Sequence, residues 1–187
     1  MRKLAPLLVL IAAFCLPLAM PAAAGPRGHG RAAHRRARHA PNFHLLDRAG
    51  KAHSLAAFRG RSITLFFMCG CAQCTALARQ WSEWQRAGVL PGAGQGTIVI
   101  FAGEAQYAEG LISASGIDTA RTLVVGDPDL HVTRALYHAP TCPRVFVVDP
   151  HGLIRYTNSH ADDAPQKAPA ELIASRALAA LRKCRSK

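Results

Sequence analysis

A short dithiol motif places the tightest constraint on how this 187-residue chain can fold. Residues 63–67 are apolar but for one threonine, as expected of a buried strand, and the sequence Cys71-Ala72-Gln73-Cys74 follows shortly after. Residues 75–84 have the pattern of a helix, so both thiols lie where a strand ends and a helix begins. We expect a redox-active pair at this junction, while a structural disulfide or half of a zinc site would use the same motif.

The start of the helix gives the two cysteines different predicted roles. A helix N-terminus has unpaired backbone N–H groups and a partial positive charge, and both favour a thiolate over a thiol. Cys71 is therefore the predicted nucleophile. Cys74, one turn further along, is the predicted resolving thiol, which attacks a mixed disulfide on Cys71 and releases the partner.

Residues 1–24 are typical of a secretory signal peptide. A positively charged start precedes an apolar stretch at 4–19 that prolines interrupt, and the alanines at 22–24 fit a cleavage site. The apolar stretch is too short for a membrane span, so we expect no transmembrane segment after cleavage, and Cys15 leaves with the peptide. We therefore predict an exported protein, periplasmic or otherwise extracytoplasmic, where dithiols can persist in the oxidised state.

The stretch that follows, residues 25–40, contains five arginines, three histidines and no acidic residue. Such a segment cannot bury a core, so we predict a disordered linker over 25–41. The linker is a solubilising spacer, a weak tether to anionic surfaces, or a weak metal-binding segment through His29, His34 and His39. Although the formal charge of the chain is +12, we find no groove-reading motif and expect no nucleic-acid binding.

The remaining residues, 42–187, are enough for one domain with a core of its own. Residues 43–55 alternate around a turn at 48–51, which predicts a β-hairpin. Further along, strand and helix patterns alternate, which predicts α/β layers. Besides 63–67, the predicted strands are 97–102, 122–125, 144–149 and 153–157; the predicted helices are 75–87, 104–115, a short one ending at 136, and 170–183 with Leu172, Ile173, Leu178 and Leu181 inward.

A second motif, Thr141-Cys142-Pro143 before the apolar strand and Asp149, gives the chain a family resemblance. It resembles the stretch of thioredoxin-fold redoxins in which a cis-proline leads a strand. With the N-terminal hairpin, residues 43 to 156 are similar to the alkyl hydroperoxide reductase/thiol-specific antioxidant superfamily and to TlpA-like thiol–disulfide oxidoreductases. The resemblance implies a thioredoxin-like fold, with a central mixed sheet flanked by helices and an N-terminal β-hairpin extension.

The resemblance also implies an activity and a partner. It implies that Pro143 is cis and faces the dithiol, and that the backbone of Cys142 is the edge on which a partner peptide docks. The implied reaction is dithiol–disulfide exchange with protein thiols and disulfides. In this reaction the Cys71–Cys74 pair alternates between dithiol and disulfide, and no organic cofactor is needed. The alternative within this fold is a non-catalytic interaction domain.

Three features depart from the family pattern. Gly70 stands where many members have Trp, and Leu65 stands where thioredoxins bury an Asp that assists proton transfer. The peroxiredoxin signature P-x-x-x-[ST]-x-x-C is also missing, because counting back from Cys71 gives Met68 and Thr64. We therefore do not expect peroxidase activity.

Cys69 and Cys142 should lie beside the dithiol and have three interpretations. They form an alternative disulfide relay, they are buried small hydrophobes, or they complete a soft-metal site. That site would bind Cu(I) in a copper-delivery module, with the ligands Cys69, Cys71, Cys74 and Cys142 and with His131, His138 or His160 as additions. Cys184, near the C-terminus, is expected to be a solvent-exposed thiol or a remote link.

Overall fold

The structure, a computed structural model, describes residues 38–90, 95–158 and 168–184. The predicted signal peptide, the predicted linker as far as residue 37, and His160 lie outside the described residues. Within the three described ranges, no helix is both long enough and apolar enough to cross a membrane.

The described residues form one mixed sheet. Its seven strands are β1 (His44–Asp47), β2 (Ala52–Ser54), β3 (Ser62–Met68), β4 (Gln95–Phe101), β5 (Thr122–Gly126), β6 (Arg144–Val148) and β7 (Ile154–Thr157). They lie in the order β2-β1-β5-β4-β3-β6-β7. β3 pairs in parallel with β4 and antiparallel with β6, so it is the inner strand that ends at the dithiol. β1 and β2 form the predicted hairpin, and β1 joins the hairpin to the rest of the sheet by pairing with β5.

Three α-helices are found in the described part of the chain: α1 (Ala72–Arg86), α2 (Glu109–Ser115) and α3 (Ala170–Lys183). α1 begins three residues earlier than predicted, which places Cys74 inside its first turn. The predicted helix over 104–115 is divided into a 3₁₀ turn, Ala105–Ala108, and α2. A π-helical turn, His131–Leu136, replaces the predicted short α-helix, and the Asp127 carboxylate accepts hydrogen bonds from the backbone of its first turn.

Side chains of β3 alternate between two cores, one on each face of the sheet. Phe66 and Met68 face the side covered by the three helices, whereas Leu65 and Phe67 face the other side. Trp81 of α1 packs edge-on against Phe66 with ring centroids 5.0 Å apart, and it is fully in the core. Burial on both faces explains the nearly continuous apolar run in the sequence. The same packing fixes the start of α1 at the end of β3.

The prediction that Leu172 points inward is wrong, because this side chain is 41% exposed. The inward stripe of α3 has helical spacing and consists of Ala170, Ile173, Ala174, Ala177, Leu178 and Leu181. Three of its members are alanines, whose small side chains allow a close approach to α1 and the sheet. Leu172 is a large apolar residue beside the stripe, and it gives a stronger hydrophobic signal than the alanines within it.

Contacts with the domain begin before residue 42, where the sequence predicted that the domain starts. The Ala40 N–H donates to the Gly152 carbonyl (2.8 Å), and the Arg38 carbonyl accepts from the Ile154 N–H (2.8 Å). The Tyr137 hydroxyl donates to the Pro41 carbonyl (2.7 Å). Residues 38–41, which composition assigned to the linker, therefore pack with the domain.

Candidate active site

The dithiol lies in the turn between β3 and α1. Gly70 occupies the middle of this turn with a φ of +83°, in the left-handed region that L side chains rarely adopt. A side chain at this position would strain the backbone, whatever space surrounds it. The departure from the family pattern at Gly70 is therefore explained by the local conformation of the turn.

Cys71 is the N-cap residue of α1 and is exposed. Its backbone is extended (φ −66°, ψ 167°), and its carbonyl accepts hydrogen bonds from the Thr75 N–H (2.9 Å) and the Thr75 hydroxyl (3.2 Å). These bonds close the first turn of the helix and fix the position of the Cys71 backbone. The structure thus places the predicted nucleophile at the N-terminus of a 15-residue helix, open to solvent.

Cys74 lies one turn further along and is completely buried. Its Sγ is 3.5 Å from the Sγ of Cys71, and both thiols are free. Burial raises the pKa of Cys74 to about 12, although the backbone groups of Cys69 and Gly70 act in the opposite direction. Cys74 is therefore a neutral thiol at physiological pH, within reach of Cys71 but shielded from solvent.

Cys142 and Pro143 reach the dithiol through the pairing of β6 with β3. Arg144 is in register with Phe67, so the residues before β6 lie beside the turn that follows β3. The Cys142–Pro143 peptide bond is cis, as the family resemblance implied, and Pro143 is buried. The β-strand patterns in the sequence do not by themselves predict this register, because β3 and β6 are far apart in the chain.

Cys69 and Cys142 are joined by a disulfide, with their Cα atoms 6.3 Å apart. Cys69 is exposed and Cys142 is half-buried. The interpretation of both residues as buried free thiols is therefore wrong. The four sulfur atoms of Cys69, Cys71, Cys74 and Cys142 all lie within 4.8 Å of one another, a spacing that suits a disulfide relay.

Two other groups of residues stand outside this cluster. Among the described residues, neither His131 nor His138 joins the four sulfur atoms, and His160 lies outside the described ranges. Cys184 is a free, half-buried thiol that packs against the core at the end of α3, and burial raises its pKa. The structure thus brings together the four predicted cysteines and leaves out the described histidines that were proposed as additional ligands.

Asn158 is a buried residue near the site that sequence analysis missed. Its Oδ1 accepts a hydrogen bond from the Val145 N–H (2.7 Å), and its Nδ2 donates to the Pro143 carbonyl (3.0 Å). Arg144, also buried, donates to the Asn158 carbonyl and to the Thr141 hydroxyl (3.0 Å). These bonds fasten the Pro143 loop on both sides. A lone Asn after a strand, and a lone Arg at the first position of one, carry no motif from which this role is predicted.

Known proteins are similar to this chain in sequence family and in fold. The sequence model of the AhpC/TSA family matches residues 37–157. Solved structures with a similar fold include a putative thiol:disulfide interchange protein DsbE from Chlorobium tepidum, with 22% identity over 78% of this chain and 96% of that chain and a TM-score of 0.57. Peroxidoxin BcpB from Mycobacterium tuberculosis has 17% identity over 80% of this chain and 97% of that chain, with a TM-score of 0.62. StoA from Bacillus subtilis has 19% identity over 68% of this chain and 96% of that chain, with a TM-score of 0.51.

These likenesses concern the fold, and they confirm the predicted thioredoxin-like architecture with its central mixed sheet. No curated protein sequence matches the chain.

Proposed function

The chain belongs to the AhpC/TSA family, and from this premise we propose that it is a thiol–disulfide oxidoreductase acting on protein partners through Cys71 and Cys74. One observation carries the proposal. An exposed thiol at the N-terminus of α1 lies 3.5 Å from a completely buried thiol of the same helix. This arrangement offers one sulfur to a partner and reserves the other for the second step.

The reaction proceeds by two successive attacks. The Cys71 thiolate attacks one sulfur of a partner disulfide, forming a mixed disulfide and leaving the electron pair on the other partner sulfur. Cys74 then gives up its proton and attacks the Cys71 sulfur, which releases the second partner thiol and leaves a Cys71–Cys74 disulfide. The partner gains two electrons and the dithiol loses two. The same steps in reverse oxidise a partner dithiol.

Pro143 and the backbone of Cys142 form the proposed docking edge for the partner peptide. The Cys142 sulfur lies within 4.8 Å of the Cys71 sulfur, so a peptide paired with this backbone would lie near the nucleophile. The Asn158 side chain, which donates to the Pro143 carbonyl and accepts from the Val145 N–H, holds the edge in place. Preorganised docking of this kind orients a partner disulfide for attack.

Reduction of a protein disulfide such as that of insulin tests the proposal. We expect turnover by the wild-type protein, none by Cys71→Ser, and an accumulating mixed disulfide with Cys74→Ser. Cys184→Ser is the matched control, because this half-buried thiol lies outside the cluster, and we expect it to turn over normally. Turnover that persists in Cys71→Ser would overturn the role assignment, and an inactive wild-type protein would favour the non-catalytic interaction domain.

Hydrogen peroxide is not the proposed substrate. The positions at which peroxiredoxins need Pro and a hydroxyl residue are Thr64 and Met68, both buried in β3. The likeness to a peroxidoxin is a likeness of fold at 17% identity. We expect peroxide to be consumed no faster by the wild-type protein than by Cys71→Ser, and a large difference between the two would contradict this proposal.

A soft-metal site is the second candidate function. The observation in its favour is the group of four sulfur atoms within 4.8 Å, since thiolates are the ligands that Cu(I) prefers. Once the Cys69–Cys142 disulfide is reduced, the residues to hold the ion are Cys69, Cys71, Cys74 and Cys142. One equivalent of Cu(I) retained by the reduced wild-type protein, and lost from Cys69→Ser/Cys142→Ser, would support copper delivery over disulfide exchange.

Export is the proposed setting, on the evidence of residues 1–24. A compartment outside the cytosol lets the Cys69–Cys142 disulfide persist. Mass spectrometry of the protein isolated from its host should give a chain that begins at or near Gly25. A chain that retains residues 4–19 would contradict the proposal.

A further inference from the structure

The candidate site holds two cysteine pairs in different redox states. Cys71 and Cys74 are free thiols, whereas Cys69 and Cys142 form a disulfide. The four sulfur atoms lie within 4.8 Å of one another, so the thiol pair and the disulfide are in near contact. A thiolate next to a disulfide is the starting arrangement for exchange between them.

We propose that Cys69–Cys142 is a second redox-active disulfide, which the Cys71/Cys74 dithiol reduces by exchange within the same molecule. The inference rests on the proposed function, because it uses Cys71 as nucleophile and Cys74 as resolving thiol. It adds a substrate for that dithiol inside the chain itself.

The exchange is balanced without any external oxidant or reductant. The Cys71 thiolate bonds to one sulfur of the Cys69–Cys142 disulfide, whose S–S bond breaks and leaves an electron pair on the other sulfur. Cys74 then attacks the Cys71 sulfur, forms the Cys71–Cys74 disulfide and displaces the remaining thiolate. The two protons lost by Cys71 and Cys74 are taken up by Cys69 and Cys142. Two electrons have moved from one pair to the other.

The surroundings of the disulfide favour this role over that of a buried staple. Cys69 is exposed, and only Gly70, which has no side chain, separates it from Cys71. Burial holds Cys74 in its thiol form, with its pKa raised to about 12, so the second attack is the slower of the two. A mixed disulfide formed in the first attack therefore has time to revert before Cys74 resolves it.

Exchange between the pairs changes the docking edge and the electron capacity of the site. When Cys69–Cys142 is closed, the residue before Pro143 is tied to the turn after β3; when Cys71–Cys74 is closed, Cys142 is released. Two disulfides in one cluster also let a single chain carry four electrons, twice the capacity of the dithiol alone. The proposed partner thus meets a different surface in each of the two half-oxidised forms.

Tryptic cleavage distinguishes the two half-oxidised forms directly. Cys69, Cys71 and Cys74 lie together on the peptide 62–79, and Cys142 lies on the peptide 135–144. A Cys69–Cys142 disulfide therefore cross-links two peptides, whereas a Cys71–Cys74 disulfide closes a loop within one. The full chain with Cys15→Ser and Cys184→Ser retains only the four cluster cysteines, and fragment ions of the peptide 62–79 identify which of its three cysteines is bonded in each form.

The experiment approaches the half-oxidised state from both sides. Fully reduced protein receives one equivalent of a two-electron oxidant, and fully oxidised protein receives one equivalent of dithiothreitol. Samples are quenched in acid over time, alkylated, digested and analysed by mass spectrometry. We expect both preparations to converge on the same ratio of cross-linked to looped peptide, at a rate independent of protein concentration. In Cys71→Ser we expect the cross-linked form alone, without interconversion.

Two results would overturn the relay. One is a pair of preparations that keep different ratios of the two forms for hours, and the other is a rate that rises with protein concentration. Insulin reduction by the same protein separates this outcome from failure of the proposed function. Turnover without interconversion overturns the relay and leaves the oxidoreductase, whereas interconversion without turnover supports the relay and overturns the oxidoreductase.

Discussion

The sulfur atoms of Cys71 and Cys74 lie 3.5 Å apart, yet Cys71 is exposed and Cys74 is completely buried. The contrast arises because Cys71 caps α1 whereas Cys74 points from the first turn into the core on the helix side of the sheet. A partner can therefore contact one sulfur only, and the other acts after the first has reacted. The proposed order of attack follows from this difference in exposure.

The order of attack predicts the order of alkylation. In the protein with Cys71/Cys74 reduced, we expect iodoacetamide at pH 8 to modify Cys71 first and Cys74 at least about a hundredfold more slowly, because Cys74 is shielded and protonated. Fragment ions of the peptide 62–79 report the site of modification. Urea-unfolded protein is the control, in which both thiols should react alike. Faster modification of Cys74 in the folded protein would reverse the role assignment.

A second prediction concerns stability at alkaline pH. Burial raises the pKa of Cys74 from its ordinary value of 9.0 to about 12 in the folded protein. Between these two values the unfolded chain loses the thiol proton while the folded chain retains it, so the free energy of unfolding falls as pH rises. Below pH 9 both states are protonated and the effect vanishes.

The measurement is urea unfolding of the reduced protein at pH 8.5, 9.5 and 10.5. The slope due to Cys74 is at most about 1.4 kcal/mol per pH unit. Cys74→Ala is the matched variant, and its stability should fall less steeply over this range. Tyr137, whose pKa burial also raises, is present in both proteins and cancels in the comparison. If the free energy of unfolding fell equally with pH in both proteins, burial would not be what keeps the Cys74 thiol protonated.

Local patterns in the sequence predicted much of the fold. The buried run of β3, the hairpin of β1 and β2, and the amphipathic pattern of α3 each depend on residues close together in the chain. The positions of Cys71 and Cys74 followed in the same way, since strand, dithiol and helix are consecutive. The family resemblance supplied the cis peptide bond at Pro143.

What could not be predicted depends on contacts between distant parts of the chain. The pairing of Cys69 with Cys142 follows from the register of β3 against β6, across a separation of 73 residues. The role of Asn158 depends on the same sheet, because β7 must return beside β6 before its side chain can reach Pro143. Hydrophobic periodicity indicates which face of a strand or helix is buried, but it does not tell which residues of two distant strands lie side by side.

A third prediction uses two glycines with opposite surroundings. Gly126, at the end of β5, lies so close to the 3₁₀ turn that an added Cβ would clash with the Ala105 backbone N and lie 2.6 Å from the Gly103 carbonyl oxygen. Gly110 of α2 has open space around it. We expect Gly126→Ala to destabilise the protein by about 1–3 kcal/mol through overpacking.

The matched control is Gly110→Ala, which should stabilise the protein by about 0.4–1 kcal/mol by restricting the unfolded chain. Urea unfolding at neutral pH measures both values. Equal effects of the two substitutions would contradict the close approach of β5 to the 3₁₀ turn. Both glycines lie outside the cysteine cluster, so this comparison tests the packing of the sheet independently of the chemistry.

Asn158 provides the last prediction, because its side chain links Pro143 to Val145. Asn158→Ala leaves the Val145 N–H and the Pro143 carbonyl without these partners, and each buried polar group left unpaired costs about 1–3 kcal/mol. Thr157→Val is the matched control, since the neighbouring Thr157 hydroxyl is buried without a hydrogen bond to any described residue, so its removal leaves no partner unpaired and should not lower stability.

A loosened Pro143 loop should weaken docking more than chemistry. For insulin reduction well below the melting transition, we therefore expect Asn158→Ala to raise KM several-fold while kcat changes less than twofold, and Thr157→Val to change neither. The order of alkylation of Cys71 and Cys74 should be unaffected in both variants, because α1 keeps its own contacts. A fall in kcat at unchanged KM would contradict the positioning role, since it would place the effect of Asn158 on the dithiol and not on the docking edge.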